Sequence, residues 1–189
     1  MPDLNESKPV LVIYASRFGH SHRIAEHIAG ALVALGQGTE VVDVRSLPRN
    51  SAALLRRYRG VALVASVQYG HLDLRATRWV KANLPMLQGM PTLLVTVSLT
   101  ARKYVDTPPA DVNEHVYTRK FLEATHWRPD VVELAAGKLE YPRYNLFDRK
   151  MIQLIMHISH GPTDGVSVIE YTNWERLTDS ARAFAKEIA

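Results

Sequence analysis

The residues best suited to chemistry lie in a short polar loop between an apolar run and an amphipathic run. The loop, residues 16–21, supplies two serine hydroxyls, a glycine and a series of backbone N–H groups at the start of a predicted helix. Unpaired N–H groups and the positive end of the helix dipole converge at such a turn, which favours phosphate. The predicted phosphate-binding residues are Ser16, Arg17, Phe18, Gly19, His20 and Ser21.

Two later loops are expected to meet this one. In a parallel sheet the carboxyl ends of the first, third and fourth strands open onto a common crevice. The later loops offer backbone donors, an aromatic ring and a flexible glycine, which suit a planar flavin ring. The predicted cofactor-binding residues in them are Ser66, Val67, Gln68, Tyr69, Gly70, His71, Ser98, Leu99, Thr100, Ala101 and Arg102.

Other kinds of site are disfavoured by what the sequence lacks. There is no G-x-G-x-x-G after the first strand and no G-K-[ST], which argues against a dinucleotide site and excludes a P-loop. The first strand ends without the acidic residues of a phosphoacceptor domain. The absence of cysteine excludes thiol catalysis and Fe–S ligation, and the eight scattered histidines predict no metal site. His71 is the candidate catalytic residue, as a hydrogen-bonding or proton-shuttling group, although such a histidine can simply close a turn.

The elements that must position these loops alternate between strand and helix. Mostly continuous apolar runs predict strands at residues 10–14, 40–44, 61–66 and 92–98, as in a parallel sheet buried on both faces. Helical periodicity follows the first strand and recurs at residues 72–87, and a capping box at residues 172–175 begins the last helix. The pattern predicts an α/β fold with a doubly wound, five-stranded parallel sheet and helices on both faces.

The segment from about residue 100 to 162 exceeds what such a sheet needs. It contains a polar loop at 103–111, a predicted helix at 113–125, a predicted strand at 131–139 and a predicted helix at 144–159. We expect specialised function to reside in this elaboration. The chain is predicted to form an N-terminal extension, residues 1–8, and a single domain, residues 9–189.

Composition is that of an ordinary globular chain of 189 residues, 47% hydrophobic and 22% charged. No secretory signal pattern begins it, and no apolar run approaches the roughly 18 residues that span a bilayer. The net charge of +4 suggests an acidic partner, such as anionic lipid or a carboxylate, or simply a solvated basic surface. Arg49, Arg56, Arg57 and Arg59 cluster around Tyr58, but a solvated helix face explains them better than nucleic-acid binding.

The first loop resembles the FMN-phosphate loop of flavodoxins, roughly [ST]-x-[ST]-G-x-[ST]. Ser16, Gly19 and Ser21 match it, whereas Phe18 stands where a hydroxyl is usual. Later segments resemble the quinone-dependent (menaquinone-dependent) protoporphyrinogen IX dehydrogenase family, and the resemblance covers nearly the whole chain from Val10. Its motifs are ASVQYGH at 65–71, ARK at 101–103, RKFL at 119–122, WRPD at 127–130, YPRY at 141–144, FDR at 147–149, MIQLIM at 151–156 and YTNWE at 171–175.

This resemblance implies an FMN enzyme of haem biosynthesis in a flavodoxin-like fold. The expected reaction is six-electron oxidation of protoporphyrinogen IX to protoporphyrin IX, with a membrane menaquinone or ubiquinone as acceptor. The expected location is the cytoplasmic face of the inner membrane, in peripheral contact, and a homo-oligomer is compatible with it. The alternatives are a flavodoxin-type electron carrier, an NAD(P)H:quinone reductase of the same fold and a flavin-free binding module.

A flat, apolar substrate with two propionates suits basic side chains beside apolar surface. The candidates are Arg102, Lys103, Arg128 and Arg143, which could instead pair with Asp106, Asp130, Glu140 or Asp148 or face water. The helix at 144–159 either packs in the core or presents Phe147, Met151 and Ile155 to the bilayer beside Arg149 and Lys150. We favour peripheral membrane association.

Overall fold

A computed structural model describes residues 8–107 and 109–189. Residues 1–7 of the predicted extension and Pro108 of the predicted polar loop lie outside the described residues. The strands are β1 (Val10–Ala15), β2 (Thr39–Asp43), β3 (Gly60–Gln68), β4 (His71–Leu72), β5 (Thr92–Ser98), β6 (Val131–Ala136), β7 (Lys138–Glu140) and β8 (Val168–Glu170). The α-helices are α1 (His20–Ala34), α2 (Ala52–Leu55), α3 (Leu74–Leu87), α4 (Val116–Thr125), α5 (Leu146–Ile158) and α6 (Trp174–Ile188).

Five parallel strands in the order β2-β1-β3-β5-β6 form the centre of the fold. Successive strand residues alternate between two buried layers, so Leu11 and Ile13 face one layer and Val10 and Val12 the other. Residues of α1 and α6 belong to one layer, and residues of α3 and α4 to the other. Burial on both faces explains the continuous apolar runs. The predicted doubly wound, flavodoxin-like sheet is confirmed.

Two predicted boundaries are wrong for local reasons. The predicted strand at 131–139 is divided at Gly137 into β6, which completes the parallel sheet, and β7, which pairs antiparallel with β8. The predicted helix at 113–125 begins instead as a 3₁₀ turn, Val112–Glu114, because the Asp111 carboxylate accepts from the Asn113 N–H. The α-helix follows only at Val116.

Strand β3 and helix α3 also differ from prediction where they meet. β3 runs past residue 66 to Gln68, because its end forms an antiparallel hairpin with β4. α3 therefore begins after the hairpin, at Leu74. The side chain of Asp73 caps it by accepting from the N–H groups of Arg75 (2.8 Å) and Ala76 (3.3 Å).

The elaboration has a small core of its own. Buried Leu139, Tyr141, Tyr144 and Met156 pack together, with Phe18 of the first loop against them. This core attaches α5 above the carboxyl ends of the sheet strands. Within the described ranges, no helix combines the length and apolarity needed to cross a membrane.

Candidate functional site

A cavity opens at the carboxyl ends of β1, β3 and β5, beneath α5. The three predicted loops converge on it, as parallel topology requires. The predicted cofactor residues that line it are Ser16, Arg17, Phe18, His20, Ser21, Ser66, Val67, Gln68, Tyr69, Gly70, Ser98, Leu99 and Thr100. The remaining lining residues are Val97, Tyr117, Gly137, Lys138, Tyr144, Asp148, Met151, Ile152 and Ile155.

The loop after β1 has the geometry of an anion site. Gly19, with φ of +87°, turns the chain into α1, and its N–H donates to Ser16 Oγ at 3.0 Å. No side chain of the described residues caps this helix, whose first internal bond runs from the Arg23 N–H to the Gly19 carbonyl. The leading N–H groups are therefore open to an external acceptor such as phosphate.

His20 lies at the mouth of α1 and offers a further polar atom. Its Nε2 pairs with Thr172 Oγ1 at 2.7 Å, and its Nδ1 is buried without a hydrogen-bond partner among the described residues. Burial lowers the pKa of His20, so the neutral ring predominates at pH 7. Thr172 also donates to the Ala136 carbonyl, and Asn173 caps α6 in place of the predicted capping box. Because Thr172 gives its hydrogen to Ala136, its oxygen accepts from the Nε2–H of His20, which leaves Nδ1 as an acceptor. The open N–H groups therefore fit a phosphate group, whereas Nδ1 has no hydrogen to donate to it.

Phe18, the departure from the flavodoxin pattern, has a structural cause. Its ring lies 5.0 Å from the ring of Tyr144, centroid to centroid, and it packs on the core of the elaboration. The guanidinium carbon of Arg17 lies 5.1 Å from the Phe18 ring centroid. Position 18 therefore joins the first loop to the elaboration by an apolar contact, where a hydroxyl would contact phosphate.

The hairpin between β3 and β4 places an aromatic ring at the rim of the cavity. Tyr69 and Gly70 both adopt positive φ, 48° and 83°, which makes the tight turn. The Tyr69 ring is 48% exposed, and its hydroxyl donates to Asp148 Oδ1 at 2.5 Å. Arg17 donates to the same hydroxyl and to Asp148 Oδ2, the latter at 2.8 Å.

A buried histidine supports the loop after β5. The Nε2 of His115 pairs with the hydroxyls of Ser98 (3.1 Å) and Thr100 (3.2 Å), which line the cavity. Its Nδ1 pairs with Thr118 Oγ1 at 2.8 Å, and Thr118 pairs with Thr96. Burial lowers the pKa of His115 to about 4, so the ring is neutral at pH 7. This network holds two hydroxyls at the cavity edge.

Four predicted cofactor residues do not line the cavity. Gly19 acts through the backbone of the first loop, and His71, the candidate catalytic residue, is exposed on β4. Ala101 is buried, and its N–H caps the turn by donating to Ser98 Oγ. The Arg102 side chain turns away to Leu99, Met156 and Ser159. The positions of these two side chains therefore do not support contact of His71 or Arg102 with the flavin.

The four cations predicted to bind the propionates, including Arg102, also lie outside the lining of the cavity. Lys103 is exposed above the Tyr104 ring, and Arg143 faces Glu140 at 3.5 Å. Arg128 is exposed just before β6 and so lies at the amino edge of the sheet, opposite the cavity. The cations that do line the cavity, within the described ranges, are Arg17 and Lys138.

The cavity-lining residues that were not predicted from the sequence come mainly from α5. Asp148, Met151, Ile152 and Ile155 follow helical spacing and face the cavity. Of the two alternatives for this helix, Met151 and Ile155 therefore follow the one in which they face inward. Asp148 is 3% exposed. Their spacing was visible in the sequence, but nothing in it showed what the stripe would face.

The sequence of this chain is similar to a known domain family and to proteins of known name. A family model described as a flavodoxin domain matches residues 11–165. The protoporphyrinogen IX dehydrogenase (quinone) of Leishmania major is 39% identical over 182 residues, covering 96% of this chain and 76% of that protein. The protein of the same name from Escherichia coli K12 is 36% identical over 179 residues, covering 95% and 93%.

Solved flavodoxins share the fold. Flavodoxin 1 from Bacillus cereus aligns with a TM-score of 0.57 at 16% identity, covering 96% of this chain and 99% of that one. The flavodoxin of Streptococcus pneumonia TIGR4 aligns with a TM-score of 0.55 at 14% identity, covering 94% and 97%. The flavodoxin domain match supports FMN as the cofactor, in agreement with the open anion site. The chain is thus an oxidoreductase with a flavodoxin fold, and it belongs to the quinone-dependent protoporphyrinogen IX dehydrogenase family.

Proposed function

We propose that this protein oxidises protoporphyrinogen IX to protoporphyrin IX, removing six electrons with FMN and passing them to a membrane menaquinone or ubiquinone in haem biosynthesis. The observation that carries the proposal is one cavity that joins an anion-binding loop to an apolar wall supplied by α5. The names of the relatives support the substrate and the acceptor. FMN, when bound, supplies a hydride acceptor that can later reduce a quinone.

The loops would hold the cofactor by its two ends. The open N–H groups after Gly19, with the hydroxyls of Ser16 and Ser21, suit the phosphate. The hairpin at Tyr69 and the loop after β5 border the remaining space, where a planar ring would lie.

The wall contributed by α5 suits a flat, apolar substrate. Met151, Ile152 and Ile155 face the cavity over about one turn of the helix. Such a wall excludes water from a reacting carbon and gains from burial of the macrocycle. Lys138 lies at the border of the same cavity and pairs with Glu140 at 3.2 Å. It is the side chain we now propose for a propionate, because the guanidinium of Arg17 is committed to Tyr69 and Asp148.

The opposite face of α5 supports membrane association. Leu146, Phe147, Leu154 and Ile158 are 79%, 65%, 53% and 70% exposed. Together with Lys150, they form what we call the outer face of α5. A helix with an apolar stripe and basic residues can lie in the interface of an anionic bilayer. We propose that this face rests on the inner membrane from the cytoplasmic side, so that quinone and porphyrinogen enter from the lipid.

The central experiment is anaerobic. Purified protein loaded with FMN is mixed with protoporphyrinogen IX and a soluble quinone, and the rise of porphyrin fluorescence is followed. We expect a rise that depends on both FMN and quinone. A rate equal to the uncatalysed control would overturn the proposal. A flavodoxin-type carrier would instead stabilise the blue semiquinone in a redox titration, and an NAD(P)H:quinone reductase would be reduced rapidly by NAD(P)H.

Membrane association has its own test. The double substitution Leu146→Ser and Leu154→Ser removes two apolar groups from the outer face of α5 and leaves Phe147, which packs against Tyr69, in place. We expect co-sedimentation with phosphatidylglycerol vesicles to fall at least tenfold, while FMN affinity stays within twofold. Val33→Ser is the matched control, because Val33 is 56% exposed on α1. Equal co-sedimentation of the double variant and the control would refute the membrane contact.

A further inference from the structure

Asp148 occupies a constrained position in the cavity wall. It lies in the first turn of α5, and its side chain is 4% exposed. Oδ1 accepts from the hydroxyl of Tyr69 at 2.5 Å, and Oδ2 accepts from Arg17 at 2.8 Å. The carboxylate is therefore held in one orientation, one helical turn from the apolar residues Met151 and Ile152 that line the same space.

Few groups at the cavity can take up a proton. Among the described lining residues, Asp148 is the one carboxylate. Arg17 and Lys138 are hydrogen-bond donors without an acceptor atom, and the tyrosine hydroxyls are weak acids rather than bases. His20 is the other base, but it lies at the mouth of α1, with Nε2 committed to Thr172.

The proposed reaction needs such an acceptor. Each two-electron oxidation of the substrate breaks a C–H bond at a bridging carbon, and the electron pair leaves with that hydrogen as hydride to the flavin. A second hydrogen leaves as a proton in each of the three oxidations. Two of these protons come from pyrrole N–H groups, whose electron pairs become part of the new C=N bonds. The third comes from the fourth bridging carbon, because the porphyrin keeps two N–H groups.

We infer that the carboxylate of Asp148 accepts these protons, an inference that rests on the proposed function. Its negative charge also stabilises the positive charge that develops on the substrate as hydride departs. Tyr69 is half exposed and hydrogen-bonded to Oδ1, so it offers a path for the proton from Asp148 to solvent between oxidations. Asp148 is thus assigned as a catalytic residue, with Arg17 and Tyr69 as its positioning residues.

The test compares Asp148→Asn with the unaltered holoprotein. The amide retains an acceptor for Tyr69, and the capping of α5 by Asn145 is untouched. Because general-base catalysis contributes roughly 10²–10⁴-fold, we expect kcat for porphyrinogen oxidation to fall at least about 100-fold. The FMN dissociation constant and the reoxidation of dithionite-reduced protein by a soluble quinone should stay within threefold, because neither involves this proton.

Chemical rescue separates a base from a structural residue. Asp148→Ala leaves room for a small carboxylate, so formate should restore activity at least tenfold, whereas chloride at equal ionic strength should not. Asp164→Asn is the control, because Asp164 is an exposed acid that follows α5. It should change kcat less than twofold.

The possible outcomes are distinct. An unaltered protein that does not oxidise porphyrinogen defeats the proposed function itself. If the unaltered protein is active, either of two results overturns the assignment of Asp148. One is a kcat of Asp148→Asn within threefold of the unaltered protein. The other is an activity of Asp148→Ala that formate does not raise. If Asp148→Asn does not load FMN, Asp148→Glu decides: it keeps a carboxylate and should retain FMN and at least a tenth of kcat. Inactivity of Asp148→Glu with FMN bound would count against the base.

Discussion

The guanidinium of Arg102 donates hydrogen bonds to the backbone carbonyl and to the hydroxyl of Ser159, immediately after α5, the latter at 3.1 Å. It also contacts the sulfur of Met156 at 3.4 Å. The loop after β5 therefore holds the end of the helix that forms the cavity wall. Arg102 thus acts on the site through α5, although its spacing had suggested direct contact with cofactor or substrate.

Replacing Arg102 should loosen this attachment. Arg102→Met keeps the apolar stem but removes the donors, leaving the Ser159 carbonyl without this partner. We expect the free energy of unfolding to fall by about 2 kcal/mol, as measured by urea titration, because hydrogen bonds to charged groups contribute roughly 1.5–3 kcal/mol. Arg143→Met is the control, since its 3.5 Å pairing with Glu140 is exposed and should contribute less than about 1 kcal/mol. Equal losses in the two variants would contradict the anchoring role.

Gly19 should be needed for flavin affinity rather than for stability alone. Its φ of +87° is costly for any residue with a Cβ, by roughly 1–2 kcal/mol. Gly19→Ala is expected to raise the FMN dissociation constant about tenfold in a fluorescence-quenching titration, because the first N–H groups of α1 would be reoriented. Gly36→Ala removes a similar turn, with φ of +82°, just after the other end of α1. That variant should lose stability with unchanged FMN affinity, and a tenfold loss of affinity there would defeat the argument.

The buried His115 should make stability depend on pH. Its pKa is lowered by burial to about 4 in the folded protein, from an ordinary value of 6.5. Between these two values the unfolded chain binds the extra proton and the folded protein does not, so stability falls as pH decreases from 6.5 toward 4. The contribution lost by pH 4 is at most about 3 kcal/mol.

The measurement is chemical denaturation at several pH values between 4 and 7.5. His115→Gln removes the titrating group and keeps hydrogen-bonding capacity toward Ser98 and Thr118. We expect its stability to vary less with pH than that of the unaltered protein over this interval. Parallel pH profiles for the two proteins would show that other groups cause the dependence.

Helix α1 offers a stabilising substitution far from the chemistry. Gly30 is exposed in the middle of the helix, and a Cβ built there meets no other atom within 4 Å. Gly30→Ala should therefore raise the free energy of unfolding by about 1 kcal/mol, the difference in helix propensity. Thermal melting would reveal it, with kcat unchanged. A lower melting temperature would mean that the exposed face of α1 has a partner.

The sheet was predictable because each central strand is buried on both faces. Residues 92–98 illustrate this. They form an apolar run with two threonines and no helical or alternating period, and the observed strand has the predicted bounds. Convergence of the loops followed from topology alone, since parallel strands deliver their carboxyl ends to one edge. The break at Gly137 also left a trace in the sequence, as a glycine within a strand pattern.

The destinations of long basic side chains were not predictable. Arg102 and Arg128 lie in motifs of the same family resemblance, yet one reaches the end of α5 and the other lies at the opposite edge of the sheet. A guanidinium finds partners set by tertiary structure, which local spacing does not encode. The same limit applies to α5. Its two apolar sides are both evident in the sequence, but which side faces the cavity depends on how the helix packs on the rest of the fold.

The contact between Phe18 and Tyr144 has a consequence for protein engineering. A generic flavodoxin loop carries a small polar residue at position 18, and grafting it here would leave a hollow beside Tyr144. Conversely, deleting the elaboration would leave Phe18 as an exposed ring at the entrance to the phosphate site. Loop and elaboration are therefore not interchangeable modules. Converting this enzyme into a simple electron carrier would require changing both together, and a design that treats them separately should lose stability before it changes function.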